Sequence, residues 1–250
     1  MIEDEIKVRL TQRFLAAQTP WGRWRLNTYV RWKGFSWRLV VSAASFVKRE
    51  IDITVSLVVL ILFLPVFALL ALLVKLDGGP VFSRQARIGL RGREFKMIKY
   101  RTAGVDADAS LRDMVAQSEK GASVTVRMKG DPFLTKTGRI LHGASLDELP
   151  QFLNVLKGEM SLVGPRAPVP REVGHYSQAD LRRLSVKPGM TCLWQVGSRG
   201  GGLQGVSNRG AMRFSEEVAL DVRYIESQSV WLDLLILMKT VPAVLFGRGM

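Results

Sequence analysis

Two adjacent carboxylates, followed by a glycine-rich stretch that ends in arginine, form the densest group of chemically active residues in the sequence. Asp147 and Glu148 occur in the stretch SLDELPQ, and Arg166 ends the downstream stretch GEMSLVGPR. Adjacent carboxylates can divide two tasks, since one can attack phosphorus while the other holds a divalent cation. Magnesium (Mg²⁺) would neutralise a diphosphate and shield it from the attacking anion. The pattern therefore predicts phosphate chemistry.

The same segment also has a purely structural interpretation, which the residues alone favour. Ser145 and Glu148 have the spacing of a capping box, and acidic residues in a first turn complement the helix dipole. Pro150 weakens this interpretation, because it costs a helix hydrogen bond if Ser145 is the N-cap. With Asp147 as the N-cap, Pro150 stands where no intrahelical donor is required. At this point both interpretations stay open.

Arginines in turn-like sequence are the candidates for binding phosphate, because the guanidinium offers paired donors that lysine cannot reproduce. Taken singly, each of them is more often a solvated surface charge. Other familiar chemistries are missing from the sequence, which has neither a GxxxxGK[ST] nor a GxGxxG motif. Two histidines and one cysteine cannot build an ordinary structural zinc site. The arginine candidates are Arg84, Arg87, Arg101, Arg166 and Arg199.

The elements that must position this chemistry include an uncharged segment of 22 residues at 53–74. A helix of that length could cross a hydrocarbon core of about 30 Å. Basic residues flank the segment on both sides, however, and this pattern favours the cytoplasm for both ends. Pro65 would kink the helix near its middle, and Ser56 could take up a freed backbone carbonyl. We therefore predict a re-entrant helix–break–helix hairpin, although proline is also tolerated in ordinary spanning helices.

Residues 1–47 combine tryptophan with basic side chains, within a chain whose formal net charge is +14. Such a charge predicts a polyanionic partner. Tryptophan favours the headgroup layer and Lys/Arg attract anionic membrane lipid there, which predicts an interfacial extension. A single-stranded nucleic-acid surface is the alternative, and the adjoining apolar segment argues against nucleic acid as a partner. The residues concerned are Trp21, Trp24, Trp32 and Trp37, among Arg23, Arg25, Arg31, Lys33 and Arg38.

The rest of the chain predicts a domain of short elements. Strands are expected at 81–82 and 95–100, and helices near 106–119, 147–156, 178–184, 214–227 and 231–245. The predicted fold class is α+β and mostly helical, with a re-entrant hairpin attached to a small cytoplasmic catalytic domain. Its three parts are the extension 1–47, the membrane hairpin 48–76 and the catalytic domain 77–250 with C-terminal interfacial helices.

Five motifs occur in an order that resembles a known family. Residues 48–250 resemble bacterial sugar transferases of the monotopic polyprenyl-phosphate phosphoglycosyl transferase family, whereas residues 1–47 lie outside the resemblance. The motifs are Lys48-Arg49-x-x-Asp52, GPVFSRQARIGLRGREFKMIKYRT, SLDELPQFLNVLKGEMSLVGPR, KPGMTCLWQV and LDVRYIESQSVWLDLLILMKT.

The resemblance implies a reaction in two steps. Asp147 would attack the sugar-bearing phosphate of a UDP-sugar and release UMP, and undecaprenyl phosphate would then take the sugar phosphate from the enzyme. Glu148 would bind Mg²⁺, while Arg166 and Arg199 would contact phosphates. Asp221 matches a further acidic position of the family. The resemblance also implies the cytoplasmic face of the bacterial inner membrane and the first membrane step of exopolysaccharide, capsule or O-antigen assembly.

The match departs from the family pattern next to the expected nucleophile. His142 stands five positions before Asp147, where relatives usually have arginine. A protonated imidazole would bind phosphate, but histidine is neutral over much of the physiological range, and a packed or capping imidazole is the alternative. Phe133 replaces another frequent arginine, and Cys192 stands at a frequent glycine position.

Two hypotheses from different functional classes follow. The first is the membrane-bound transferase, and the second is a catalytically decayed, membrane-anchored basic adaptor that binds lipid or a glycan-assembly partner. The co-occurrence of carboxylates, arginines and a lipid anchor favours the transferase, because an adaptor needs no such combination. A homodimer is compatible with the interfacial helices, and the sequence does not identify the sugar.

Overall fold

A computed structural model describes residues 19–104, 133–193 and 214–246. Side chains at 37, 38, 40, 41, 215, 241 and 243–246 are not part of this description. The chain divides into two compact units, of which the first ends at Lys48 and the second begins at Arg49. The helix predicted near 106–119 lies outside the described residues.

Two helices meet at a sharp break in the apolar segment. Helix α1 (Pro20–Leu62) and helix α2 (Leu64–Leu76) are separated only by Phe63. Pro65 lies in the first turn of α2, where its missing N–H costs no helix hydrogen bond. Across the described residues no single helix is long and apolar enough to cross a membrane. The pair Ser42–Leu62 and Leu64–Leu76, bent by 67°, has the combined length and apolar composition of a membrane-crossing segment. The predicted break is thus confirmed, and the re-entrant hairpin remains a prediction.

Ser56 does not have the role that the sequence suggested. It lies seven residues before Phe63, inside the regular part of α1, and its side chain is fully buried. Its hydroxyl has no hydrogen-bond partner in the part of the chain that the structure describes. Because the carbonyls of a regular helix are used by the helix itself, no freed carbonyl is available at this position. The predicted contact between Ser56 and a broken backbone is therefore wrong.

Two small sheets form the β part of the second unit. Strands β1 (Phe82–Ile88) and β2 (Glu94–Tyr100) pair antiparallel, with Phe82 opposite Tyr100. A 3₁₀ turn at Leu90–Gly92 joins them, and Arg91 there has a φ of 56°. Strands β3 (Ser161–Val163) and β4 (Gly189–Thr191) pair in parallel. The two predicted strands at 81–82 and 95–100 are confirmed, with a first strand that is longer than expected.

Helices supply the remaining described elements, which confirms the predicted α+β class with mostly helical content. The expected helix at 147–156 starts later than predicted, because a 3₁₀ turn at Leu146–Glu148 precedes it. The expected helix near 178–184 is a 3₁₀ helix at Asp180–Ser185. The α-helices are α3 (Lys136–Gly143), α4 (Gln151–Lys157), α5 (Pro170–Val173), α6 (Phe214–Ser227) and α7 (Val230–Phe246).

Apolar packing within the second unit forms two clusters. One of them joins β2, α4, β3, α6 and α7 through residues that include Met97, Val155 and Tyr224. The other joins α2 to the end of β2 and to α3, through Val74, Tyr100 and Leu141. The Tyr100 hydroxyl also donates to the Phe67 carbonyl at 2.9 Å. The second helix of the apolar segment is therefore packed directly against the folded domain.

Charged residues just before the apolar segment fix the part of α1 that begins at Arg49 to the domain. The Arg49 guanidinium donates to the carbonyls of Val155 and Leu156 at 2.6 and 2.7 Å, at the C-terminal end of α4. Asp52 is buried and accepts hydrogen bonds from the Ser161 hydroxyl at 3.1 Å and the Leu162 N–H at 3.0 Å. Charge-assisted bonds of this kind give the contact a defined geometry.

A buried amide connects α4 to the free edge of β2. The Asn154 side chain accepts from the Ile98 N–H at 2.9 Å and donates to the Lys96 carbonyl at 2.8 Å. It also donates to Glu159 at 2.7 Å, and it is fully buried. Asn154 thus takes the place of a neighbouring strand and fixes where α4 lies along β2.

Asn154→Ala should lower the free energy of unfolding by about 1–3 kcal/mol, because the partly buried backbone groups of Ile98 and Lys96 lose their partners. Thermal unfolding of the detergent-solubilised protein would measure this loss. Lys157→Ala, at an exposed position of the same helix, is the matched control and should change stability much less. Equal losses for the two variants would contradict the bridging role of Asn154.

Candidate active site

The acidic pair lies in a tight turn between two helices. Asp147 and Glu148 belong to the 3₁₀ turn, and Ser145 before it has a left-handed backbone with a φ of 58°. Within the described residues the Ser145 side chain makes no capping hydrogen bond, and Pro150 is the N-cap of α4. Both predicted capping arrangements, at Ser145 and at Asp147, are therefore wrong. The left-handed residue redirects the chain instead, so the carboxylates do not serve as helix caps.

Helix α3 is held close to the end of β2 by a glycine. A Cβ atom at Gly138 would lie 1.9 Å from the Thr102 carbonyl oxygen, so only glycine fits this contact. The Thr135 hydroxyl caps the helix by accepting from the Gly138 N–H at 2.9 Å. This docking brings the last turn of α3, and with it His142, to the acidic pair.

Asp147 is 3% exposed, and its two carboxylate oxygens have different surroundings. Oδ2 lies 3.3 Å from His142 Nδ1 and 3.9 Å from Lys99 Nζ. Oδ1 is buried and has no hydrogen-bond partner among the residues described. Because a buried polar oxygen without a partner is costly, its persistence calls for an explanation. One carboxylate oxygen is oriented by cationic groups, and the other is buried without a hydrogen-bond partner.

Lys99 lies beside the acidic pair, and the sequence reasoning missed it. Its Nζ lies 2.8 Å from Glu148 Oε1, and both side chains are partly buried. Alternation along β2 places Lys99 on the opposite sheet face from buried Tyr100, which was the only signal available in the sequence. The ammonium group compensates both carboxylates at once.

His142 lies beside the expected nucleophile, as its position in the sequence suggested. The hydrogen bond to Asp147 raises the pKa of His142 above its usual value, against the opposing effect of burial. The charged imidazolium is therefore favoured over a wider pH range than in a free histidine. Its side chain is 40% exposed, which argues against the alternative of a packed imidazole.

Two arginines form a cationic group around one buried carboxylate. Arg166 Nη1 lies 3.2 Å from both carboxylate oxygens of Glu172. Arg87 donates to the Ala167 carbonyl at 2.9 Å. Burial and the neighbouring Arg166 charge lower the pKa of Arg87 to about 10, while Glu148 acts in the opposite direction. Two guanidinium groups and one carboxylate leave a positive charge within electrostatic range of the acidic pair, as an anion site requires.

Arg101 and Asp221, two other predicted phosphate or substrate contacts, each have structural partners, while Arg101 Nε and Nη1 and Asp221 Oδ1 are buried without a hydrogen-bond partner among the described residues. Arg101 is buried, and its Nη2 donates to the carbonyls of Val74 and Gly78 at the end of α2. Asp221 is fully buried and pairs with Arg183 at 2.5 Å. Burial raises the pKa of Asp221 to about 6, against the effect of Arg183. Arg183 also donates to the Tyr176 hydroxyl at 3.1 Å. The sequence reasoning had not identified Arg183 as the partner of Asp221.

The predicted metal has a limited set of ligands here. The described ranges contain no group of three or more His, Cys, Asp and Glu side chains that could hold a metal. Arg199, a predicted phosphate contact, lies outside the described residues. Mg²⁺ is commonly bound by one or two carboxylates together with water and substrate phosphates, so an acidic pair with an unpaired oxygen fits it. Lys99 already lies at Glu148 and would have to share this carboxylate with the ion.

The sequence matches a family model over most of its length. The family described as bacterial sugar transferase matches residues 43–247. The chain belongs to the bacterial sugar transferase family. This confirms the predicted family and the transferase class of enzyme. Residues before 43 lie outside the match.

Several curated proteins are similar to this transferase. The exopolysaccharide production protein ExoY of Rhizobium meliloti (strain 1021) is 39% identical over 206 residues, which cover 81% of the chain and 87% of ExoY. The UDP-glucose:undecaprenyl-phosphate glucose-1-phosphate transferase of Caulobacter vibrioides is 39% identical over 202 residues, or 79% of the chain and 69% of that protein. The galactosyl transferase CpsE of Streptococcus agalactiae serotype III is 39% identical over 202 residues. That alignment covers 81% of the chain but only 43% of CpsE, so the chain spans less than half of this relative.

Asp221→Asn should lower the free energy of unfolding by about 3–5 kcal/mol, because it leaves the Arg183 charge buried without its partner. The double variant Asp221→Leu/Arg183→Met should recover much of this loss. The exposed pair Arg182–Glu226, with its atoms 2.6 Å apart, provides the control, and Arg182→Ala should cost at most about 1 kcal/mol. Denaturant unfolding in detergent measures all three, and similar losses for Asp221→Asn and Arg182→Ala would contradict this assignment.

Proposed function

We propose that the protein transfers a sugar-1-phosphate from a UDP-sugar to undecaprenyl phosphate, through a covalent intermediate on Asp147. The observation that carries the proposal is the asymmetric Asp147 carboxylate, which has one oxygen beside His142 and Lys99 and a second, buried oxygen without a partner. The name of the Caulobacter relative supports both substrates, since it specifies UDP-glucose and undecaprenyl phosphate. The Streptococcus relative is named a galactosyl transferase, so the sugar itself stays open.

In the first step, Asp147 Oδ1 attacks the phosphorus that carries the sugar. A bond forms between this oxygen and phosphorus, and the bond from phosphorus to the bridging oxygen of the diphosphate breaks. UMP leaves with that electron pair, and an aspartyl phosphosugar remains. Lys99 and His142 hold Oδ2, so they orient Oδ1 for in-line attack.

In the second step, a phosphate oxygen of undecaprenyl phosphate attacks the same phosphorus. The new bond forms the lipid diphosphate, while the bond between phosphorus and Asp147 breaks and returns the electron pair to the carboxylate. Lys99 and His142 stabilise the negative charge that reappears on Asp147. The enzyme thereby returns to its starting state with no net change in protons.

Arginines would bind the phosphates during both steps. Arg166 and Arg87 lie together around Glu172, and their excess positive charge suits a diphosphate better than a neutral group. Arg199 is proposed for the same role because the chain resembles the family, in which this position would contact phosphates. Glu148 would hold Mg²⁺, which when bound neutralises charge on the diphosphate. The contacts of Arg101 and Asp221 suggest that they act on the fold, so direct substrate binding by either residue remains a prediction.

The bent helix pair suggests where the reaction takes place. The acceptor has its phosphate at the membrane surface and its tail in the bilayer, while the UDP-sugar is soluble. A re-entrant hairpin with both ends at the cytoplasmic face of the inner membrane would place the domain where both substrates meet. The packing of α2 against Tyr100 and Leu141 supports a domain attached rigidly to this segment. This reaction would begin exopolysaccharide, capsule or O-antigen assembly.

Asp147→Asn should abolish covalent labelling of the protein by a UDP-sugar and leave its membrane association unchanged, because the amide cannot serve as the nucleophile. Membranes that contain the wild-type protein, the Asp147→Asn variant or a control variant are incubated with a panel of radiolabelled UDP-sugars. The label bound to the protein and the UMP released are then measured. Asp77→Asn is the matched control, since Asp77 is exposed and bonds only Thr137 among the described residues.

Labelling of the Asp147→Asn protein would reject Asp147 as the nucleophile. Silence of the folded wild-type protein across the whole panel would reject the transferase and support the adaptor.

Lys99→Met should lower the rate of UMP release by about 100-fold, because the two carboxylates lose the cation that compensates them. Lys99→Arg keeps the charge and should lose less. The measurement is initial UMP release at saturating UDP-sugar. Lys96→Met on the other face of β2 is the control with an exposed lysine, and a similar loss there would argue against a specific role of Lys99.

A further inference from the structure

The first unit exposes several aromatic and aliphatic side chains on one face of α1, with the polar residues Thr28 and Ser42 between them on the same face. At about 3.6 residues per turn these residues fall within about 80° of the helix circumference. Each of the aromatic and aliphatic side chains is between 57% and 73% exposed. Trp21 and Trp24 stack on each other with ring centroids 5.0 Å apart. We call this face the aromatic stripe, and it consists of Trp21, Trp24, Trp32, Phe35, Leu39 and Phe46.

The charge around the aromatic stripe has one sign only. Residues 19–48 contain six Lys/Arg and no Asp or Glu. By the same helical geometry, Arg31 borders the aromatic stripe on one side and Arg25 on the other. Both side chains are exposed. Arg23 and Lys33 lie further round the helix, away from the stripe. The aromatic stripe is therefore bordered by cationic side chains on both sides, and within residues 19–48 no acidic side chain offsets them.

This combination favours an anionic bilayer surface over other occupants. A large apolar patch rimmed by polar residues marks an interaction site. Tryptophan prefers the headgroup layer, and arginine beside it reaches anionic phosphates while its stem stays in the apolar region. A second copy of the helix would bring two such cationic surfaces together, which like-charge repulsion opposes. A nucleic acid would bind the cations but would give no reason for Leu39 and Phe46 to share one face with the tryptophans.

We propose that the aromatic stripe is a binding site for anionic phospholipid headgroups at the membrane surface. The family match begins at residue 43, so five of the six stripe residues lie outside it. This site is independent of the transferase reaction, since it involves none of the residues around Asp147. An interfacial helix of this kind buries its apolar face at the boundary between headgroups and acyl chains.

Site-directed spin labelling of the full chain tests the proposal. The chain is reconstituted in vesicles of phosphatidylcholine and phosphatidylglycerol, with Cys192→Ala as background and single labels at Trp32→Cys or Phe35→Cys. Val30→Cys is the matched control, because Val30 is equally exposed but lies on the opposite face of the helix. Collision rates with oxygen, which concentrates in lipid, and with a water-soluble nickel chelate are measured for each label.

The oxygen-to-nickel collision ratio should be several-fold higher at 32 and 35 than at 30. Equal nickel access at all three positions would show a solvated stripe and overturn the proposal. Protection from both reagents together with spin–spin broadening would overturn it as well, in favour of a second copy of the chain. In vesicles of phosphatidylcholine alone the contrast should shrink, and an unchanged contrast would contradict the preference for anionic lipid. None of these outcomes depends on UMP release.

Discussion

Removing a carboxylate from water is costly unless positive charge replaces the lost hydration, and the arrangement around Asp147 meets this requirement. Lys99 and His142 supply the charge from two different elements, β2 and α3, so both must be docked correctly for the site to exist. Gly138 allows α3 to approach the chain after β2, and Asn154 sets the position of α4 along β2. The stability of the fold and the geometry of the acidic pair are thus consequences of the same contacts.

The apolar segment is tied into this arrangement from both of its sides. Arg49 and Asp52 bind the backbone around α4 and β3, while Arg101 binds carbonyls at the end of α2. Because these contacts go to backbone atoms, they fix position and depend little on the side chains that surround them. These contacts join the domain to both ends of the apolar segment, as the proposed reaction at the membrane surface would require.

The sequence predicted those features that depend on local pattern. The helix break near Pro65, the β1–β2 hairpin and the two C-terminal helices follow from apolar periodicity and from the conformational preferences of proline and glycine. It failed where distant segments decide the outcome. The left-handed Ser145 depends on how α3 ends against its neighbours, and the contact of Lys99 with Glu148 joins residues that are 49 positions apart. The partner of Asp221 lies 38 positions away, so its ion pair with Arg183 was not visible in the local sequence.

Asn154 also limits the addition of a further strand to the β1–β2 sheet. A two-stranded sheet leaves N–H and carbonyl groups unpaired along its outer edges, and such an edge is a template on which another chain can add a strand. On β2 the Ile98 N–H and the Lys96 carbonyl are already bonded to the Asn154 side chain of the same domain. The Asn154 amide therefore blocks strand addition at the centre of this edge. The sheet ends after two strands on this side.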